Sequence, residues 1–164
     1  MTETVCPGCG HHGPGEDGPA HPYMLASPRC WRLFNALMAR EYATPQLMPT
    51  HYLGVDAYAA QHPGDVSDRR ARQSVWIHLA GLHAVMRACR ESAYRYDLLR
   101  RLAAARDDFP PPPKHEPFSL VAADISSDQP TEDHVAAMRG WADATLEAYE
   151  KATPDLAAQL RALG

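Results

Sequence analysis

Residues 67–89 read "SDRRARQSVWIHLAGLHAVMRAC", and the reading of this stretch decides the fold. Val75, His78, Leu79, Leu82, Val85, Met86 and Cys89 recur at spacings of three and four, the pattern of a helix with one apolar face. Ser67 in front of it is a good N-cap. The pattern continues outward on both sides. Towards the N-terminus, Ser27 caps a first helix, Pro28 suits its first position, and Cys30, Phe34, Leu37, Met38 and Glu41 follow at helical spacing. Pro45 and Pro49 interrupt the chain before a second helix over 50–61, which Pro63 and Gly64 end. Towards the C-terminus, a fourth segment over 92–106 carries Tyr94, Leu98, Leu102 and Ala105. "FPPPPKHEPF" (109–118) is stiff and extended and reads as a crossover strap between helices. "FSLVAADI" (118–125) reads as one short strand or an extended cover. Thr131 opens a further helix with Val135, Met138, Ala142, Leu146 and Tyr149 on one face, and Thr153 and Pro154 announce a last short one. No run of alternating strands is present. The expectation is an all-α bundle of five or six helices. It forms one domain over 1–164, with a Gly/Pro-rich segment, 1–26, packed on the bundle 27–164.

Composition excludes several function classes. Hydrophobic residues make up 45% and charged residues 22% of the 164, as in soluble globular proteins. A net charge of -4 exerts no pull toward nucleic acid or anionic membrane. Arg69, Arg70 and Arg72 form a small basic cluster without aromatic interleaving, expected to be solvated, so nucleic acid is not an expected partner. No apolar run approaches the ~20 residues of a membrane span. The start has no basic region followed by an apolar stretch, so no secretory signal is read there. Four cysteines without an export signal imply reduced thiols and a cytoplasmic location. No P-loop, dinucleotide fingerprint or Ser-His-Asp motif occurs. Nine histidines are many for this length and direct attention to metals.

The N-terminal segment contains "CPGCGHH" (6–12). A C-x-x-C pair on a Gly-containing turn is a frequent half-site for zinc, because both thiolates can converge on one ion. A thiol redox role needs a helix starting at the pair, which Gly8, Gly10, Gly13 and Pro14 prevent. Cys30 is the best third ligand, at the head of the first helix, where unpaired backbone N–H groups favour a thiolate. The fourth is His21, His11 or His12. His21, held between "GPA" and "PY" and near Cys30 in sequence, is preferred. The expected set is Cys6, Cys9, His21 and Cys30, a closed zinc site that clips the segment to the bundle and contributes folding energy.

A second constellation lies on the second and third helices. His78 falls on the apolar face between Val75 and Leu82. Asp56 and His62 lie on the preceding helix, and facing helices can build a metal site from carboxylates and histidines. Asp56 and His62 are about 9 Å apart along a helix, so His62 must leave the helix at Pro63 if both are to reach one ion. Asp56, His62 and His78 are therefore expected to hold a second metal, with His51 as alternative ligand and His134 as a further one. Alternatively they form a polar core network in which Asp56 fixes a histidine tautomer. Tyr58 and Gln61 are placed to add hydrogen bonds. His83 and His115 are expected at the surface.

Taken together, "CPGCG", "SPRCW", "VDAYAAQHPG", "SVWIHLAGL" and "GWADATLEAYE" resemble an uncharacterised bacterial family of small cytoplasmic proteins, a domain of unknown function. The resemblance spans most of the chain. It implies recurrent positions at Cys6, Cys9, His21, Cys30, His51, Asp56, His62 and His78, and it implies no reaction. The leading expectation is a cytoplasmic, zinc-containing helical protein. One alternative is a metal-dependent hydrolase or transferase with an open His/Asp site in the bundle core. The other is a protein-interaction module presenting the knuckle and the strap.

Overall fold

The computed structural model describes residues 3–163. They form an all-α fold of six helices preceded by a small hairpin. The hairpin strands are β1 (Glu3–Val5) and β2 (His12–Pro14), and the helices are α1 (Pro28–Ala43), α2 (Met48–Gln61), α3 (Arg69–Met86), α4 (Ser92–Ala104), α5 (Thr131–Ala152) and α6 (Leu156–Leu163). Short 3-10 turns at Pro45–Leu47 and Ala122–Asp124 complete the order.

The helix starts follow local chemistry. Ser27 is extended at its φ and ψ, and its hydroxyl accepts the Cys30 N–H at 3.2 Å, with Pro28 opening the helix. That satisfies one of the donors a helix start leaves unpaired. In α3 the cap is Asp68 rather than Ser67, its carboxylate accepting the Arg70 N–H at 3.0 Å. A carboxylate beside the positive end of the helix dipole is the better cap of the two neighbours.

α2 packs against α1, α3 and α5, and α3 packs against α2, α4, α5 and α6. A helix touching four others cannot bury a single stripe. Accordingly α3 buries Val75, Trp76, Leu79, Ala80, Leu82 and Ala84, while His78, Val85 and Met86 are half-buried. Cys89 lies beyond the helix end, exposed, with φ +48°. Trp76, which the one-stripe reading leaves outside, is 1% exposed and donates its indole N–H to the Pro110 carbonyl at 2.8 Å.

The proline segment crosses between α4 and α5, and the arginines expected in solvent hold it down. Arg69 donates to the Ala105 and Asp107 carbonyls at 2.7 and 2.6 Å, and Arg72 donates to the Phe109 carbonyl at 2.7 Å. Carbonyls in a strap without secondary structure need donors, and the guanidinium fork supplies several at once. No strand forms over 118–125; that stretch is irregular around the Ala122–Asp124 turn. His115 is half-buried rather than exposed, against Phe118 and Tyr149. Among the described residues no helix is long and apolar enough to cross a membrane.

Candidate metal centre

Cys6 and Cys9 sit on the turn that joins β1 to β2. The strands pair antiparallel, Val5 opposite His12. Cys6 N–H donates to the His11 carbonyl at 2.8 Å, and Gly10 N–H returns to the Cys6 carbonyl at 3.0 Å. Gly10 closes this turn at φ +75°, a conformation that favours glycine. Gly8 is required by proximity: a Cβ there would run into the Leu25 carbonyl and stand 2.6 Å from the His62 ring. The turn is thereby pressed onto His62. Three-residue strands are too short to show an alternating pattern, so the hairpin leaves no signal in the sequence beyond its glycines.

The other two donors come from helix ends. Cys30 is in the first turn of α1. The backbone N–H of Ser27, the cap of that helix, donates to the Cys6 sulfur at 3.4 Å. His62 follows the last residue of α2 and leaves the helical conformation, at φ -126° and ψ 62°. Its Nδ1–H donates to the Tyr58 carbonyl at 2.8 Å, a bond that fixes the tautomer and leaves the Nε2 lone pair toward the cysteines, 3.1 Å from the Cys30 sulfur. The Tyr58 ring stacks on His62 at 3.9 Å, and Phe34 stacks on Tyr58 at 3.9 Å. Cys9 and Cys30 sulfurs are 3.7 Å apart. The four donor atoms of Cys6, Cys9, Cys30 and His62 lie within 4.8 Å of one another, and no residue of the four is more than 4% exposed. The protein thus carries a buried metal-binding cluster of three cysteines and one histidine. Among the described residues it is the one group of three or more such side chains gathered closely enough to hold an ion.

Electrostatics point the same way. Hydrogen bonds from Cys30 and then Cys9 hold the Cys6 thiol far below the ordinary range. Cys30 is pushed far above it by Cys6, then by Cys9 and burial. At Cys9 the largest influence, the contact with Cys30, lowers the pKa, but Cys6 and burial outweigh it and push the group up to about 11. The three pKa values are thus driven apart, and burial beside one another disfavours several thiolates at once. Three thiolates side by side in a buried site require a multivalent cation, and binding one displaces the protons. Among the described residues the buried Tyr58 hydroxyl has no hydrogen-bond partner, and burial, followed by the neighbouring Cys30 sulfur, holds its pKa far above normal.

The structure brings the cysteine trio together and places His21 elsewhere. The His21 Nδ1 accepts the Tyr23 N–H at 3.1 Å, and its ring stands edge-on to Trp31 at 4.8 Å. His62 occupies the fourth corner. Of the other two candidates, His11 is half-buried and lends its carbonyl to Cys6, while His12 is exposed beside Glu3. Asp56 and His78 do converge, Oδ1 to Nδ1 at 2.8 Å, but without His62. The second carboxylate oxygen of Asp56 is taken by Arg95 of α4, at 3.0 and 2.5 Å. His51 is drawn to a different carboxylate, Glu41, at 2.8 Å, and His134 meets the other oxygen of Glu41, also at 2.8 Å. Sequence spacing pointed to neither Arg95 nor Glu41 as a partner, since both act across helices.

The N-terminal segment is also held by charge. Glu16 receives Arg29 at 2.7 Å and Arg32 at 2.8 Å. Arg32, then Arg29, hold the Glu16 carboxyl at about 2, below its ordinary 4.5. A depressed acid contributes stability above its unfolded pKa and loses it as pH falls through the folded one. Acidification from pH 4.5 toward 2 should therefore loosen this clip, and hydrogen exchange of residues 10–20 should rise over that window.

Residues 4–150 match the model of a family of unknown function, DUF5946. The chain belongs to this family. The matched range takes in all four donors of the metal cluster as well as Asp56, His78 and Glu41, so both buried networks lie within the DUF5946 unit. No curated protein and no solved structure matched the chain.

Proposed function

We propose that the cluster is a structural zinc site that fastens the N-terminal hairpin to the ends of α1 and α2. The observation that carries this is the burial of all four donors, drawn from three separate stretches of chain. The donor set fits the ion. Three thiolates and an imidazole suit zinc better than hard, oxygen-seeking cations. A tetrahedral zinc with Zn–S of about 2.3 Å has sulfur–sulfur edges of about 3.8 Å, and Cys9 and Cys30 stand 3.7 Å apart. His62 is already the tautomer that presents Nε2, with its other nitrogen held by a carbonyl, as ligating histidines usually are.

A catalytic zinc keeps one position for water or substrate. A cleft of about 710 Å³ borders His62, lined also by Tyr23, Asp68, Arg70 and Ser74. Four protein donors nevertheless complete a tetrahedron, which favours the structural role over the hydrolase or transferase reading. Elemental analysis of protein purified without added metal should find one zinc per chain. Chelation should free residues 3–26 while helical circular dichroism persists. Metal-free protein with an ordered hairpin, or two metals per chain, would overturn the reading.

A further inference from the structure

The second buried network faces a cleft of its own. Glu41 of α1 is 0% exposed, and both its oxygens are held by imidazoles: Oε2 by His51 Nδ1 and Oε1 by His134 Nε2, each at 2.8 Å. A carboxylate only accepts, so both histidines donate to it. His51 spends Nδ1–H on this bond, and the nitrogen left for any ligand is Nε2. His134 matters because it occupies the second oxygen. The carboxylate is fixed on both sides and cannot turn away from His51.

His51 lines a cleft of about 290 Å³ between α1 and α2, whose walls include Trp31, Phe34, Tyr42, Val55 and Tyr58. Phe34 stacks on Tyr58 at 3.9 Å and Trp31 on Phe34 at 5.7 Å, so these rings cover one another's faces and give the cleft a fixed aromatic wall. Among the described residues no Asp, Glu, Lys or Arg lines it; His21 and Asn35 do, with His21 Nδ1 accepting the Tyr23 N–H and the Asn35 amide donating to the Trp31 carbonyl. With no such charged side chain in its walls, the cleft suits a neutral occupant. A cavity of about 150 Å³ holds benzene, so this cleft suits one ring with small substituents. We infer that it binds a small neutral aromatic molecule bearing a hydroxyl group, a phenol, which packs edge to face against the aromatic wall and donates its O–H to His51 Nε2. The aromatic wall favours a ring, and the fixed imidazole acceptor selects the hydroxyl.

The probe pair is 4-methylphenol and toluene, which share a ring and differ in the hydroxyl. Titrated into the intact, metal-loaded protein, 4-methylphenol should quench tryptophan fluorescence and shift the His51 ring signals in NMR. It should bind about tenfold more tightly than toluene, the worth of one neutral hydrogen bond. His51→Phe should reduce that preference to near one. Because His51→Phe also leaves Glu41 with one partner and can destabilise the chain, Val55→Trp serves as an independent variant. It fills the cleft while keeping both imidazole partners of Glu41 in the chain and should abolish binding of both probes. Equal affinity for the two probes in the native chain, binding that survives Val55→Trp, or no binding at millimolar concentration would each overturn the inference.

Discussion

His62→Ala should weaken the metal site about a hundredfold, and His21→Ala should leave its affinity unchanged. Four-ligand structural sites hold zinc with about 10–16 kcal/mol at neutral pH. The average share of one donor is then about 3 kcal/mol, on the order of a hundredfold in Kd. His62 also carries the turn: Gly8 is pressed against its ring and Leu25 N–H reaches the next carbonyl, that of Pro63, at 3.2 Å. The variant should therefore hold the ion more weakly and loosen the hairpin. His21, with Nδ1 on the Tyr23 N–H and its ring on Trp31, touches neither. Zinc competition against a chromophoric chelator separates the two variants. An equal loss of affinity in His21→Ala would return that residue to the site and break the assignment of His62.

The contrast between these two histidines shows what the sequence made legible. Helices could be read because their signals are local: Ser27 with Pro28, the three-and-four spacing of α3, and Pro63 with Gly64 each act within a few residues. Cys6, Cys9 and Cys30 could be read for the same reason, as a turn pair followed by a helix head. The fourth donor could not be read from proximity, because His62 lies 32 residues beyond Cys30 and reaches it only once α1 and α2 pack together. Its one local sign was Pro63, which ends α2 and lets the His62 side chain fold back to the Tyr58 carbonyl. That sign points as readily toward Asp56 on the same helix, and only the packing of α1 on α2 turns it toward the cysteines. Trp76 failed for a related reason. A hydrophobic stripe reports one buried face, and α3, enclosed by four helices, has more than one. Arg69 and Arg72 looked like solvated charge because carbonyls of a distant strap leave no mark in the sequence.

The second large effect is expected at Arg95. Asp56 is 0% exposed, between His78 on one oxygen and Arg95 on the other. The Arg95 and His78 side chains keep 14% and 20% exposure, so they reach water and Asp56 does not. Arg95 also lies over the Tyr52 ring, 4.7 Å from its centroid, which holds the guanidinium in place. Gly81 makes the approach possible: a Cβ there would stand 2.5 Å from the Asp56 oxygen and 3.3 Å from Arg95 Nε. The network is therefore asymmetric, with one fully buried anion and two partly wetted partners. Removing the anion leaves groups that can still be hydrated, whereas removing the guanidinium leaves a buried charge with one imidazole. Arg95→Met should accordingly cost about 3–5 kcal/mol, a fall in Tm on the order of 10 °C, with zinc content unchanged. Adding Asp56→Asn to it should restore part of the loss, since the stranded charge is then gone. This arrangement also bears on the expected second metal. Arg95 already supplies the cation at Asp56, and His62 is committed to the cysteines, which favours a polar core network at Asp56 and His78. Thermal melts with parallel zinc analysis decide the matter: a silent Arg95→Met would remove the network from the stability of the fold, and a loss of metal in that variant would restore a second ion to the site.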